Sequence, residues 1–178
     1  MKDLGTTIRR NSFDQVRTEL AEYLPNVFRF ARHLAQDQHL AEDLAQEAIL
    51  RAIENWSVTV PERPLVWLFR VLENLWRDRC RQRERRPENQ SLDLMTVSDP
   101  IGSEPSKIAE QSEEAAIAMN IMQKLPERQR MVIHMFACEQ LSIGEIAEVL
   151  EISSEAVRSS LSLARKELRH SLTSKTQR

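Results

Sequence analysis

The chain has 178 residues, 41% hydrophobic and 29% charged, which is ordinary globular composition with room for one average domain or two small ones. Three glycines and 5% aromatics are too few for a sandwich or barrel of bulky strands and tight turns, and the good helix formers Ala, Leu, Glu, Arg and Gln dominate. The net charge of −2 argues against a uniformly basic nucleic-acid binder, but it sums opposed blocks: −4 over 37–54, +5 over 63–86, −6 over 87–114 and +5 over 158–178.

Residues 1–14 are polar and hold no apolar signal core. No run approaches the roughly 18 apolar residues of a membrane span, so a soluble cytoplasmic protein is expected. From about Phe13 to Ala35, the recurrence of Leu20, Leu24, Val27, Phe28, Ala31 and Leu34 at threes and fours predicts a helix. Pro25 predicts that it is kinked or split in two. A second helix is predicted over Leu40–Trp56, with Leu40, Leu44, Ala48, Ala52 and Trp56 at every fourth position. Glu42, Asp43, Gln46, Glu47 and Glu54 take its other face.

Ser57–Pro64 reads as a loop, punctuated by Pro61 and Pro64. A long helix follows from about Leu65 to Arg86, with a core stripe of Leu68, Val71, Leu72 and Leu75. Arg70, Asn74, Arg77 and Arg81 share another face by the same spacing, and Pro87 ends the helix. Six arginines among residues 77–86 suit a helix C-terminus electrostatically. They read either as a solvated charged end or as a track along a nucleic-acid backbone. Trp67, Phe69 and Trp76 beside them read either as core or as surfaces on which unpaired bases stack.

Residues 87–112 hold three prolines, one glycine and five serines in an acidic, weakly apolar stretch, the composition of a flexible linker. The domain boundary is placed there, between an N-terminal domain over 13–86 and a C-terminal one over 113–172. The second is expected to open with a helix over 113–125, followed by one over 126–138 that begins at Pro126. Ser142 with Glu145 forms an S-x-x-E capping box for a helix over 142–150, and Ser153 or Ser154 caps a last helix reaching about Ser171.

The segment SIGEIAEVLEISSEAVRSSLSLARKELR reads as a helix-turn-helix. Ile146, Leu150, Ile152, Val157 and Leu161 make the apolar seam, Ala147 is small where the helices cross, and Glu151 and Ile152 make the turn. The last helix packs through Val157, Leu161, Ala164 and Leu168. Its free face offers Glu155, Arg158, Ser159, Ser162, Arg165 and Arg169, short polar groups for base edges and basic ones for phosphates. The alternative is a plain amphipathic hairpin. Glu151 stands where such a turn favours glycine, at a cost of about 1 kcal/mol if it adopts positive φ.

No catalytic constellation appears: no paired carboxylates, nucleophile setting or Gly-rich phosphate loop, so the chain is not expected to be an enzyme. His134 and Cys138 are four apart on one face, but with Met131, Ile133 and Met135 around them and no third ligand they read as core. Neither a metal nor a cofactor is expected, and Cys80 and Cys138 imply no disulfide framework.

Three segments resemble bacterial sigma factors of the extracytoplasmic-function class, over about residues 20–86 and 113–170. HLAEDLAQEAILRAIENW is similar to that family's A-E-D-L-x-Q-E helix. RPLVWLFRVLENLWRDRCRQRERR is similar to its W-L-x-R-I-x-x-N-x-x-x-D-x-x-R-R helix. LPERQRMVIHMFACEQLSIGEIAEVLEISSEAVRSSLSLARKELR is similar to its promoter-reading helix-turn-helix domain. The resemblance implies a protein that binds core RNA polymerase, brings it to a promoter and helps open the duplex. It assigns Asp43, Gln46 and Glu47 to the clamp helices of the polymerase β′ subunit, with a further contact to the β flap. It assigns the loop Ser57–Pro64, with Trp67, Arg70, Asn74, Arg77 and Arg81, to capture of the melting downstream promoter element. Glu155, Arg158, Ser159 and Ser162 would read the upstream element, with Arg165 among the basic groups on the same face. An anti-sigma factor is the implied regulator. The chain departs from the family at Glu151, at Ser160 and Leu163, where arginine is frequent, and at Glu73. Two further readings are a stand-alone helix-turn-helix repressor, which would need a dimer seam, and a degenerate sigma that binds only polymerase or an anti-sigma factor.

Overall fold

The computed structural model describes residues 13–56, 60–85, 121–122 and 124–176. Their elements, all helical, are α1 (Phe13–Ala35), α2 (Gln38–Trp56), α3 (Pro64–Arg85), α4 (Glu127–Ala137), α5 (Ile143–Leu150) and α6 (Ser154–Thr176). The chain divides into two compact units between Cys80 and Arg81. The linker expected over 87–112 and most of the helix expected over 113–125 lie outside the described residues. Among those described, no helix is long and apolar enough to cross a membrane.

In the N-terminal unit, α1 runs unbroken through Pro25. A proline inside a helix costs about 3 kcal/mol or more, through a lost hydrogen bond and a clash. Here Pro25 and Ala21, whose carbonyl loses its partner, are both exposed, so water can serve that carbonyl. The buried side chains Val16, Leu20, Val27, Phe30, Ala31 and Leu34 hold the helix on its core on both sides of the proline. Phe28, expected in that stripe, lies about 100° round the helix from its middle and is 36% exposed. Phe30 takes the inward place.

The corner into α2 is two residues long. Gln36 turns left-handed at φ 54 while its N–H donates to the Arg32 carbonyl. Asp37 then caps α2, its Oδ1 accepting from the Leu40 N–H at 2.8 Å. The inner face of α2 is Leu40, Ala41, Leu44, Ala45, Ala48, Ala52 and Trp56, all buried. Four alanines on that face let α1 and α2 approach closely. Pro64 opens α3 at its first position, where a missing N–H costs nothing. Val66, Leu68, Phe69, Leu72 and Leu75 then face inward. Val71, expected in the core stripe, is only half-buried, and Val66 and Phe69 take that role.

Aromatic rings join the three helices. Phe30 of α1 stacks on Phe69 of α3 with centroids 4.3 Å apart. Trp56 at the end of α2 meets Tyr23 of α1 edge-on at 6.2 Å and Trp67 of α3 at 5.9 Å.

In the C-terminal unit, α4 and α5 both pack on α6. Its core is Ile121, Met122, Leu125, Met131, Val132, Ile133, Met135, Leu141, Ile146, Val149, Leu150, Val157, Leu161 and Ala164. Four polar side chains share that interior, Arg130, His134, Glu139 and Ser160. His134 Nε2 lies 3.2 Å from Glu139 Oε1, with both side chains enclosed. His134 is therefore core, as its apolar neighbours predicted, and its polar contact is Glu139. Arg130 is also buried, and desolvation pushes its guanidinium below its ordinary value, with Glu127 opposing.

The helix-turn-helix forms as its sequence predicts. Ser142 Oγ accepts from the Glu145 N–H at 3.2 Å while the Ser142 N–H donates back to Glu145 Oε2 at 2.8 Å, a complete capping box. Glu151 ends α5 at φ 55, ψ 43. Its N–H and that of Ile152 both donate to the Ala147 carbonyl, closing the helix with a left-handed cap. Ser153 then caps α6, its Oγ accepting from the Ala156 N–H at 3.2 Å.

A left-handed glutamate at this cap is strained by about 1 kcal/mol relative to a glycine. Glu151→Gly is therefore expected to raise the thermal midpoint of the C-terminal unit, by up to about 1 kcal/mol of stability, with an unchanged helical circular-dichroism spectrum. A lowered midpoint would show that the side chain contributes more than its backbone costs.

Candidate functional site

Three polar faces remain after the cores are built. The first is the outer face of α2. Asp43 and Gln46 are exposed on it and Glu47 is half-buried beside them. Glu47 Oε1 accepts from Arg51 Nε at 3.1 Å, and Gln38 donates to Glu42 Oε1 at 3.0 Å. The Glu47–Arg51 pair is about half exposed, so it contributes at most a few tenths of a kcal/mol and leaves the face free for a partner. The sequence reading missed Leu50, which stands 57% exposed on this face. Its signal was present, because Leu50 falls outside the every-fourth apolar stripe.

The second face belongs to α3. Arg70, Asn74, Arg77 and Arg81 share one side of the helix, as their spacing predicted, and Trp67 lies at the start of the same side. Arg70 and Arg81 are exposed; Trp67, Asn74 and Arg77 are half-buried. Trp67 meets the buried Trp56 and keeps only part of its surface exposed. Glu73 is 5% exposed at the border between this face and the core. Its Oε1 accepts from Arg77 Nη2 at 2.6 Å. The acid that departs from the family pattern is thus turned inward, where it holds Arg77. Beyond Cys80 every described residue of α3, Arg81 to Arg85, is exposed.

The third face belongs to α6. Val157, Ser160, Leu161 and Ala164 point inward, and Glu155, Arg158, Ser159, Ser162 and Arg165 are exposed on the opposite side. Ser160, where the family often has arginine, is 7% exposed, so a small side chain suits the place. Leu163 is 53% exposed beside the polar face. Arg165 is anchored, with its guanidinium carbon 5.0 Å from the centroid of Phe136 on α4. Phe136, Ile143 and Leu161 line a groove of about 350 Å³ together with Arg158, Arg165 and Arg169. At the start of α6, Arg158 Nη1 reaches Glu155 Oε1 at 3.5 Å. The Glu155 carboxyl is held below the usual glutamate range, first by its own backbone N–H, then by the Ser153 hydroxyl and Arg158. It is therefore an anion at neutral pH, an acceptor set among donors.

The acidic face of α2 can take a basic protein surface, whereas the basic faces of α3 and α6 suit phosphates and base edges. Among the described residues no cluster of three or more His, Cys, Asp or Glu is placed to hold a metal ion.

Comparison with known proteins finds two family matches along the chain. Residues 20–86 match the model of sigma-70 region 2, and residues 115–168 match that of sigma-70 region 4. The chain is 32% identical to an RNA polymerase sigma-E factor of Streptomyces avermitilis, over 84% of its own length and 80% of the relative's. It is 35% identical to the probable RNA polymerase sigma factor RfaY of Xanthomonas campestris over 78% of its own length, but spans only 36% of that relative. Among solved structures, the sigma factor RpoE in complex with the anti-sigma factor NepR from Bartonella quintana has the same fold, with a TM-score of 0.73. That likeness covers 88% of this chain and 96% of the other at 23% identity.

The Ser153 contact gives a direct test of the α6 geometry. In a carbon-detected titration, Glu155 is expected to titrate below the usual glutamate value of about 4.3. Its midpoint is expected to rise in Ser153→Ala. An ordinary midpoint that the substitution leaves unmoved would mean that the start of α6 is arranged differently in solution.

Proposed function

The chain belongs to the sigma-70 family of RNA polymerase sigma factors, in its extracytoplasmic-function class, and we propose the surfaces through which it works. It is a transcription initiation factor that binds core RNA polymerase and directs it to promoters, a DNA-binding role rather than a catalytic one. The acidic face of α2, with Asp43, Gln46 and Glu47, docks on the β′ clamp helices, and the C-terminal unit meets the β flap. Support comes from an exposed acidic face whose own ion pair is too weak to satisfy it.

The α3 face takes the downstream element as it melts. Arg70, Arg77 and Arg81 hold phosphates there, Asn74 offers an amide to a base edge, and the outer side of Trp67 offers a stacking surface. Unstacking a base costs a few kcal/mol, so this face needs both stacking and charge. The upstream element is read by α6 through Glu155, Arg158, Ser159 and Ser162, with Arg165 on the backbone. The observation that carries this is the fully formed helix-turn-helix, capped at both turns, with these five side chains exposed on one side of α6. An anti-sigma factor is the expected regulator, as in the Bartonella quintana complex.

Run-off transcription with bacterial core polymerase, on fragments of the source genome, tests the whole reading. Transcripts that require the protein and share an upstream motif are the expected result. Arg158→Ala is expected to weaken promoter binding by about 1–3 kcal/mol while leaving polymerase affinity unchanged. Glu47→Lys is expected to abolish polymerase binding with the fold intact. A chain that ignores polymerase yet shifts promoter fragments by itself would be a repressor.

A further inference from the structure

Leu50 is the most exposed large apolar side chain among the described residues. A single exposed leucine is common on protein surfaces, so exposure alone assigns nothing. Its setting does. On α2 it lies seven residues from Asp43, four from Gln46 and Glu54, and three from Glu47. At helical spacing these residues form one stripe, with Leu50 between Gln46 on one side and Asp43, Glu54 and Glu47 on the other. The inner face of α2 is already filled by Leu40, Leu44, Trp56 and four alanines. No rotation of the helix can hide Leu50 without exposing that set. Helix propensity gives no reason for leucine here, since lysine, glutamate or glutamine would serve an exposed site nearly as well.

An interface whose charges surround an apolar centre differs from a purely ionic one. The charges steer encounter and set orientation, and the desolvated centre slows dissociation. We propose that Leu50 is the apolar anchor of the polymerase-docking face, inserting into an apolar depression on core polymerase that is rimmed by lysine or arginine. This rests on the reading of α2 as the polymerase-binding helix. Charge complementarity selects the occupant, because Asp43, Glu47 and Glu54 around Leu50 call for cationic groups around the depression. The acids thus govern the rate of finding polymerase, and Leu50 governs the residence time on it.

The two roles separate experimentally. Binding of the full chain to core polymerase would be measured by competition and by dissociation rate, at low and at moderate salt, for Leu50→Ala, Leu50→Met and Glu47→Lys. Leu50→Ala is expected to weaken binding about ten- to hundredfold. The loss should lie in the dissociation rate, in the same proportion at both salts. Leu50→Met should restore most of the affinity, being apolar and of similar volume. Thermal unfolding should hardly change, since the side chain contributes little to the core. If Leu50→Ala binds like the parent while Glu47→Lys does not, the docking face stands and the anchor is wrong. If both bind like the parent, α2 is not the docking helix and the anchor falls with it. A loss for Leu50→Ala that disappears at moderate salt would also overturn the anchor, because it would show an indirect effect on the charges.

Discussion

Trp56 is the residue on which the N-terminal unit turns. It closes α2, is wholly enclosed, and meets Tyr23 of α1 on one side and Trp67 of α3 on the other. A side chain of this kind buries about 150–250 Å², roughly 4–6 kcal/mol of transfer free energy as an upper bound. That is comparable with the whole stability of a small domain, about 5–15 kcal/mol. With the three helices fixed through this ring and the Phe30–Phe69 stack, the orientation of each helix about its own axis is fixed as well. The acidic stripe of α2 and the arginine stripe of α3 then have only solvent or a partner to face. The polar faces of this unit are thus a consequence of which residues the aromatic cluster pulls inward.

The C-terminal unit reaches the same end by backbone control. The relation of α5 to α6 depends on three residues, Glu151 to Ser153. The left-handed Glu151 converges two N–H groups on one carbonyl, and Ser153 caps the next helix immediately. A glycine would adopt this turn with less strain, so packing of Ile146, Val149 and Leu150 against Val157 and Leu161 must hold glutamate there. The buried His134–Glu139 pair sits at the end of α4, where the chain turns toward α5. Arg165 over Phe136 links α4 to the face that α6 presents. A guanidinium resting on a ring loses less freedom on binding than a free one, so this cation is partly pre-positioned.

How much of this could be read in the sequence follows from the range of each signal. Helix existence, the capping box and the grouping of Arg70, Asn74, Arg77 and Arg81 depend on spacing within one helix, and periodicity carries them. The motif of the last helix was equally local, so Arg158, Ser159 and Ser162 are where their pattern put them. What escaped depends on contacts between helices. Phe28 is the exception, a local misreading, because the spacing of Val27, Ala31 and Leu34 already puts Phe30 on the inner stripe and Phe28 off it, and the stack on Phe69 completes that placement. The contact between His134 and Glu139 crosses a turn that periodicity does not describe, so the sequence offered Cys138 as the neighbour instead. Glu73 read as an acid out of place on a basic face. Its inward position and its bond to Arg77 appear only once α3 is packed. Leu50 was overlooked because pattern reading collects the apolar residues that fit a stripe and passes over the one that does not.

The blocked charge explains how an acidic chain can serve a nucleic acid. A net charge of −2 gives little long-range attraction to DNA, and the −4 of residues 37–54 opposes it. Beyond a Debye length of about 8 Å at physiological salt the blocks screen separately, so each face acts on its own neighbour. The acidic face of α2 and the basic faces of α3 and α6 can therefore coexist on one chain without cancelling each other at close range.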